Sequence, residues 1–131
     1  LRAAVFHSVR ERQPLGWHGE PLQRVRKNDQ SRVAFSEYHG HGVRGSGYVI
    51  RKGDWKLIYC ENAPHQLFNL DEDPEELVNL AGKHTKKFRE LEEELRGICD
   101  PKAESTRAEA FITRQLDAIK VMGVDPESVE G

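Results

Sequence analysis

Two six-residue runs, GYVIRK (Gly47–Lys52) and WKLIYC (Trp55–Cys60), stand on either side of Gly53-Asp54. Both are rich in β-branched and aromatic residues, which fit a half-buried pleated surface. A two-residue connection leaves them no arrangement but antiparallel pairing, and glycine in its first place selects a type II′ turn. This hairpin constrains the fold more than any other feature. An isolated two-stranded ribbon is marginal in water, so the pair needs further strands or a helix to cover one face. Strand signals lie on both sides. Arg32 to His39 (RVAFSEYH) precedes the hairpin, and Gln66 to Leu70 (QLFNL) follows it. Between the first strand and the hairpin, Gly40 to Gly47 holds four glycines in eight residues, the mark of a loop.

The second half changes period. Asp73, Pro74 and Glu76 have the spacing of a capped helix start, which predicts a short helix from Pro74 to Leu80. Phe88, Leu91, Leu95 and Ile98 then recur at helical spacing, with Glu92 and Arg96 as a supporting i,i+4 pair. Asp100-Pro101 ends that helix and caps the next, from Lys102 to Val121, whose Ala108, Ile112, Leu116 and Ile119 form a narrower stripe. Asp125-Pro126 opens a last turn. Strands followed by helices predict an α+β fold: a small antiparallel sheet of about four strands packed by C-terminal helices. Trp55, Leu57, Tyr59 and Leu67 are the expected core partners of the Phe88 to Ile98 face. Pro14, Gly16, Gly19 and Asn28-Asp29 break any period before that. Residues 1–31 therefore read as a linker or surface-wrapping arm, 32–122 as the α+β domain, and 123–131 as a tail.

At 131 residues the chain has room for one ordinary domain. It is 37% hydrophobic and 32% charged, so the core is modest and the helices are solvated. The net charge of -2 gives no reason to expect nucleic acid as a partner. Basic residues gather early (Arg2, Arg10, Arg12, Arg24, Arg26, Lys27, Arg32) without interleaved aromatics, the pattern of a solvated arm. No apolar run approaches the roughly 20 residues that cross a bilayer, so no membrane partner is expected. The sequence opens on Leu1 rather than Met, which suggests a piece of a longer chain. Cys60 and Cys99 leave the redox compartment open.

Chemistry concentrates in Ser36-Glu37-Tyr38-His39-Gly40-His41-Gly42. In an extended strand Glu37, His39 and His41 project to one side. Two imidazoles and a carboxylate suit a divalent metal or general acid–base work. Three ligands on one short strand rarely close a tetrahedron, however, and His41 already lies in the glycine loop. The reading is therefore a substrate-facing His39, with no catalytic and no metal residue assigned. His7, His18, His65 and His84 are isolated, and Cys99 reads as a small hydrophobe at a helix end. No Gly-x-Ser-x-Gly elbow, phosphate loop or Cys-x-x-Cys pair occurs in the sequence.

Several runs together resemble one family. S-E-Y-H at Ser36–His39, R-K-G-D-W-K at Arg51–Lys56, and Q-L-F-N-L-D-E-D-P-E-E-L-V-N-L-A at Gln66–Ala81 are similar to the C-terminal subdomain of bacterial sulfatases of the arylsulfatase and choline-sulfatase type. Cys99-Asp100-Pro101 and the Arg107 to Gln115 segment resemble tails of the same group, and the resemblance spans about residues 15 to 125. It implies the alkaline-phosphatase-like superfamily. There, a large N-terminal domain carries a formylglycine nucleophile and a calcium-type divalent cation. The C-terminal subdomain completes the fold and lends residues to the substrate-pocket rim. Such sulfatases make formylglycine from Cys-x-Pro-x-Arg or Ser-x-Pro-x-Arg; here Ala103 stands where the motif needs Arg, so Cys99 is not assigned that role. His39 is the one position carried over, as a pocket-rim residue. The implied partners are the N-terminal catalytic domain and, through it, a sulfate-ester substrate, with self-association of the chain as a further expectation. The chain alone is expected to hold no cofactor and to hydrolyse neither sulfate nor phosphate esters. Two other readings remain: the C-terminal part of a phosphate or phosphonate ester hydrolase of the same superfamily, and a free-standing interaction module.

Overall fold

The computed structural model describes residues 24–40 and 45–123. The chain divides into two compact units, 1–32 and 33–131. Of the first, the described residues form a turn in which Asn28 takes φ 59° and Asp29 accepts from the Ser31 backbone N–H at 3.0 Å and its hydroxyl at 2.6 Å. These bonds to Ser31 hold the Asp29 carboxyl below its ordinary range. The arm proposed for 1–31 otherwise falls on residues outside those described. So do the tail beyond Gly123 and the turn at Asp125-Pro126.

The second unit is α+β, as the change of period predicts. Strands β1 (Val33–Tyr38), β2 (Gly47–Lys52), β3 (Trp55–Cys60) and β4 (Gln66–Asn69) pair antiparallel in the order β1-β2-β3-β4. Gly53 takes φ 59° while Asp54 stays out of the positive-φ region, as a type II′ hairpin turn requires. The register aligns Phe35, Ile50, Leu57 and Leu67 in one row across all four strands, and Tyr48 with Tyr59 in a neighbouring row. One face of the sheet is thereby apolar. Helix α1 (Thr85–Ile98) covers it, packing on β2 and β3. Leu91 and Leu95 reach the Tyr48, Ile50, Leu57 and Leu67 side chains in a fully buried cluster, with Phe35, Trp55, Tyr59 and Phe88 packed around it. Ile98, expected on the same face, is 48% exposed: the helix ends there and Cys99 turns into extended backbone before the apolar stripe completes another turn.

The helix expected at Pro74–Leu80 does not form. Asp73 does not cap a helix: its carboxylate accepts from the Leu77 and Val78 backbone N–H groups, four and five residues on, at 3.1 and 2.8 Å. Glu76 sits at φ 58°, the left-handed region, which no helix continues through. What wins is tertiary. From that conformation Glu76 meets Lys56 of β3 with both carboxylate oxygens at 2.8 Å. Beyond it the Leu80 N–H donates to Leu67 at 2.8 Å. The Asn79 side chain accepts from the Leu67 and Ala81 N–H groups at 3.0 Å each and donates to His65 at 3.1 Å. The segment thus satisfies the backbone of β4 that would otherwise be an open edge.

Helix α2 (Pro101–Val121) starts as the sequence predicts. Asp100 accepts from the Lys102 and Ala103 N–H groups at 3.1 and 3.2 Å, with Pro101 in the first turn. Pro101 and Ser105 are buried, and the rest of the helix is half-exposed or exposed. Of the two helices, α1 therefore supplies the packing and α2 is anchored at its beginning. Among the described residues, no helix is long and apolar enough to cross a membrane.

Candidate substrate-facing site

The β1–β2 register ends with Tyr38 opposite Gly47. One step further, His39 comes opposite Ser46, and their side chains meet, Nδ1 to Oγ at 2.6 Å. Ser46 is 4% exposed, and its backbone carbonyl accepts from the Glu61 N–H at 2.9 Å, so the sheet fixes it from the far side as well. Gly40 lets the chain leave the sheet directly over the Tyr38 ring: a Cβ at that position would lie 2.0 Å from ring atoms. No larger residue fits there without moving Tyr38.

The His39 ring stands edge-on to Tyr48, centroids 5.6 Å apart. Tyr48 is fully buried and donates its hydroxyl proton to the Pro101 carbonyl at 2.8 Å, joining β2 to the start of α2. Burial raises the Tyr48 phenol above its ordinary range, against a hydrogen bond from Ser46 that lowers it. The same first turn of α2 is thereby held beside the end of β1. The two elements line a cleft of about 410 Å³ with Glu37, His39, Glu104, Arg107, Ala108, Phe111 and Arg114. Glu37 lies 3.4 Å from His39 Nε2, on the same side of the strand as the alternation of side chains requires. Arg107 is ion-paired with Glu104. Phe111 is 57% exposed, an apolar ring between the two arginines.

The pairing of Glu37 with His39 matches the sequence expectation. His41 lies outside the described residues, and among those described no three His, Cys, Asp or Glu side chains are grouped to hold a metal ion. Cys99 is the C-cap of α1, half-buried, its thiol pushed up by burial, which disfavours the reactive thiolate. His65 is a packing histidine: it stacks on Tyr59 at 4.2 Å and its Nδ1 accepts from the Cys60 N–H at 3.2 Å. His84 leans on Trp55 at 5.3 Å. Sequence reasoning missed Ser46 and Tyr48 at the site. The only signal for Ser46 was its place in the glycine loop, and an alternating Tyr48 reads as core. The two cleft arginines are seven residues apart, two helical turns, a spacing that puts them on one face once α2 is recognised.

No family model matches the chain. Over 70 residues it is 44% identical to Arylsulfatase K of Danio rerio, a match that covers 51% of this chain and 13% of that protein. Over 85 residues it is 39% identical to Arylsulfatase K of Gallus gallus, covering 62% of this chain and 16% of that one. In fold it is similar to a protein solved in complex with its substrate D-glucosamine-2-N,6-O-disulfate: TM-score 0.61, 24% identity, over 73% of this chain and 22% of the other. The match therefore spans only about an eighth to a sixth of the length of these curated relatives. The chain is thus similar, over part of its length, to part of these sulfatases.

Proposed function

We propose that this region serves a sulfuric ester hydrolase by completing its fold beside the catalytic domain and placing His39 at the rim of the substrate pocket. The 44% identity over 70 residues to a sulfatase carries the reading. The geometry adds a reason for the position of His39: it is a half-exposed imidazole, held on its inner side and facing a cleft with two arginines. Sulfate-ester cleavage needs an activated nucleophile, neutralisation of the sulfuryl oxygens and protonation of the leaving group. The described residues fit neither a formylglycine nor a divalent cation: the Cys99 motif has Ala103 where the modification needs Arg, and no metal cluster occurs among them. We assign both groups to the partner domain. What this region supplies is binding. His39 and the cleft arginines offer hydrogen-bond donors to oxygen atoms of a substrate arriving at the rim.

The test is kinetic. In the full-length hydrolase, His39→Ala lowers kcat/KM for a sulfate ester about tenfold or more, while secondary structure and melting temperature stay near wild type. An unchanged kcat/KM in a folded variant removes His39 from the pocket. Turnover of 4-nitrophenyl phosphate well above 4-nitrophenyl sulfate by the same enzyme would replace sulfate by phosphate as the substrate class. Turnover of either ester by the 131-residue chain alone, lost on a point change within it, would overturn the division of labour.

A further inference from the structure

His39 turns one ring nitrogen inward and the other toward the cleft. Nδ1 lies 2.6 Å from Ser46 Oγ, and Nε2 lies 3.4 Å from the Glu37 carboxylate. A neutral imidazole has one donor nitrogen and one acceptor nitrogen, and an ionised carboxylate only accepts. The neutral tautomer that pairs both nitrogens therefore carries its proton on Nε2, facing Glu37. Nδ1 is then the acceptor, and the Ser46 hydroxyl has to donate to it.

Ser46 has a second possible acceptor. Tyr48 gives its own proton to the Pro101 carbonyl at 2.8 Å, which leaves its oxygen free to accept, and Ser46 is its hydrogen-bonding neighbour. Ser46 and Tyr48 are 4% and 0% exposed, so solvent does not compete for these bonds. When His39 takes up a proton from water, Nδ1 becomes a donor. The Ser46 oxygen can accept that bond while its proton rotates to Tyr48. Both charge states of the imidazole are satisfied with no heavy atom moving, and among the described residues no buried side-chain polar atom lacks a partner.

The geometry points to Ser46 and Tyr48 as positioning residues for His39: a hydroxyl pair that fixes the ring in its neutral and charged forms alike and keeps Nε2–H as the group offered to the cleft. The inference rests on the reading of His39 as substrate-facing, and it specifies the chemistry of that contact. What His39 meets is an oxygen acceptor, such as a sulfate or hydroxyl oxygen. Glu37 holds the place in the free protein. Its side chain is 44% exposed and its contact is long, so it can swing aside and release the donor. The other charged groups that line the cleft are Glu104, Arg107 and Arg114 of α2.

The tautomer of His39 is directly observable by long-range proton–nitrogen NMR on the ¹⁵N-histidine-labelled chain. In wild type, neutral His39 is expected as a single Nε2–H form. Ser46→Ala removes the donor to Nδ1, and the ratio of Nε2–H to Nδ1–H falls about three- to tenfold, the worth of one ordinary hydrogen bond. Ser46→Thr, which keeps the hydroxyl, restores it. Tyr48→Phe leaves the neutral tautomer alone but takes away the acceptor Ser46 needs when His39 is charged. The Nδ1 proton of the charged form then exchanges with water about three- to tenfold faster. A wild-type neutral His39 in the Nδ1–H form, or an averaged mixture, overturns the inference even if no Ser46 variant folds. An unchanged ratio in Ser46→Ala does the same. If the tautomer results hold while His39→Ala leaves kcat/KM of the hydrolase intact, the positioning stands and the substrate-facing reading is what fails.

Discussion

Leu91 and Leu95 are the two side chains through which α1 holds the sheet, and truncating either should be the most costly small change in the region. Both are fully buried, and both belong to a cluster of only six fully buried residues. Leu91→Ala removes three carbons, about 2.4 kcal/mol of transfer free energy at about 0.8 kcal/mol per carbon. A cavity term adds to that wherever the neighbours fail to close in, which puts measured Leu→Ala costs at about 2–5 kcal/mol. Among the described residues the core is a single layer between α1 and one face of the sheet. The strands can move toward the gap, so the lower half of that range, about 2.5–3.5 kcal/mol, is the expected loss. Against a total of about 5–10 kcal/mol for a small domain, this is a large fraction. Urea unfolding followed by tryptophan fluorescence and far-UV circular dichroism measures it, since Trp55 packs at the edge of the same cluster. Ile98→Ala is the internal control: at 48% exposure it should cost within about 0.5 kcal/mol. A loss below about 0.5 kcal/mol for Leu91→Ala, with an unchanged m-value, would show that α1 is not seated on the sheet as described.

Asp100→Ala removes the carboxylate that accepts from the Lys102 and Ala103 N–H groups, and should cost about 1 kcal/mol and fray the start of α2 in hydrogen exchange. Asn79→Ala unpairs the Leu67 N–H on β4 and should cost about 1–3 kcal/mol, more than an exposed asparagine otherwise would. The buried Tyr48 phenol, pushed up chiefly by desolvation, sets an alkaline limit. Its stabilising contribution is complete below the ordinary tyrosine value and is lost as the pH rises toward the higher value of the folded state, because the unfolded chain ionises first. Tyr48→Phe should therefore lower stability at neutral pH but flatten its decline above about pH 10.

The sheet was legible because its signals are local and agree with one another. β2 and β3 are rich in β-branched and aromatic residues, the connection between them is two residues long, and Gly53 suits the turn, so propensity, loop length and turn chemistry all select the same hairpin. The same holds for α2, where Asp100 and Pro101 stop one helix and start the next. The Pro74–Leu80 error has the opposite cause. Asp73 does bind two backbone N–H groups, but those of Leu77 and Val78 rather than those of a first helical turn. A segment of seven residues has too few internal bonds to hold a helix against a competing use of its backbone. Lys56 draws Glu76 out of the helical region, and the open edge of β4 takes the N–H of Leu80. Neither partner is near in sequence, so no window of the sequence contains the competition.

The site divides along the same line. Glu37 and His39 share a side of one strand, and the two-residue period of a strand is enough to place them together. What fixes the ring of His39 lies elsewhere: Ser46 is brought opposite it by the β1–β2 register, and Tyr48 is locked by a carbonyl 53 residues further along the chain. Register alone accounts for the first. A one-residue slip of β1 on β2 would turn Val33 and Phe35 away from the core, so the buried face forbids it, and His39 opposite Ser46 follows from the packing of the sheet. The second depends on α2 starting where it does, at a proline whose first-turn carbonyl has a second lone pair with which to accept from Tyr48. Thus the elements that stabilise the region also aim His39. A change that loosens the Tyr48–Pro101 link should therefore disturb the His39 cleft before it unfolds the sheet, since α2 is anchored to the region only at that end.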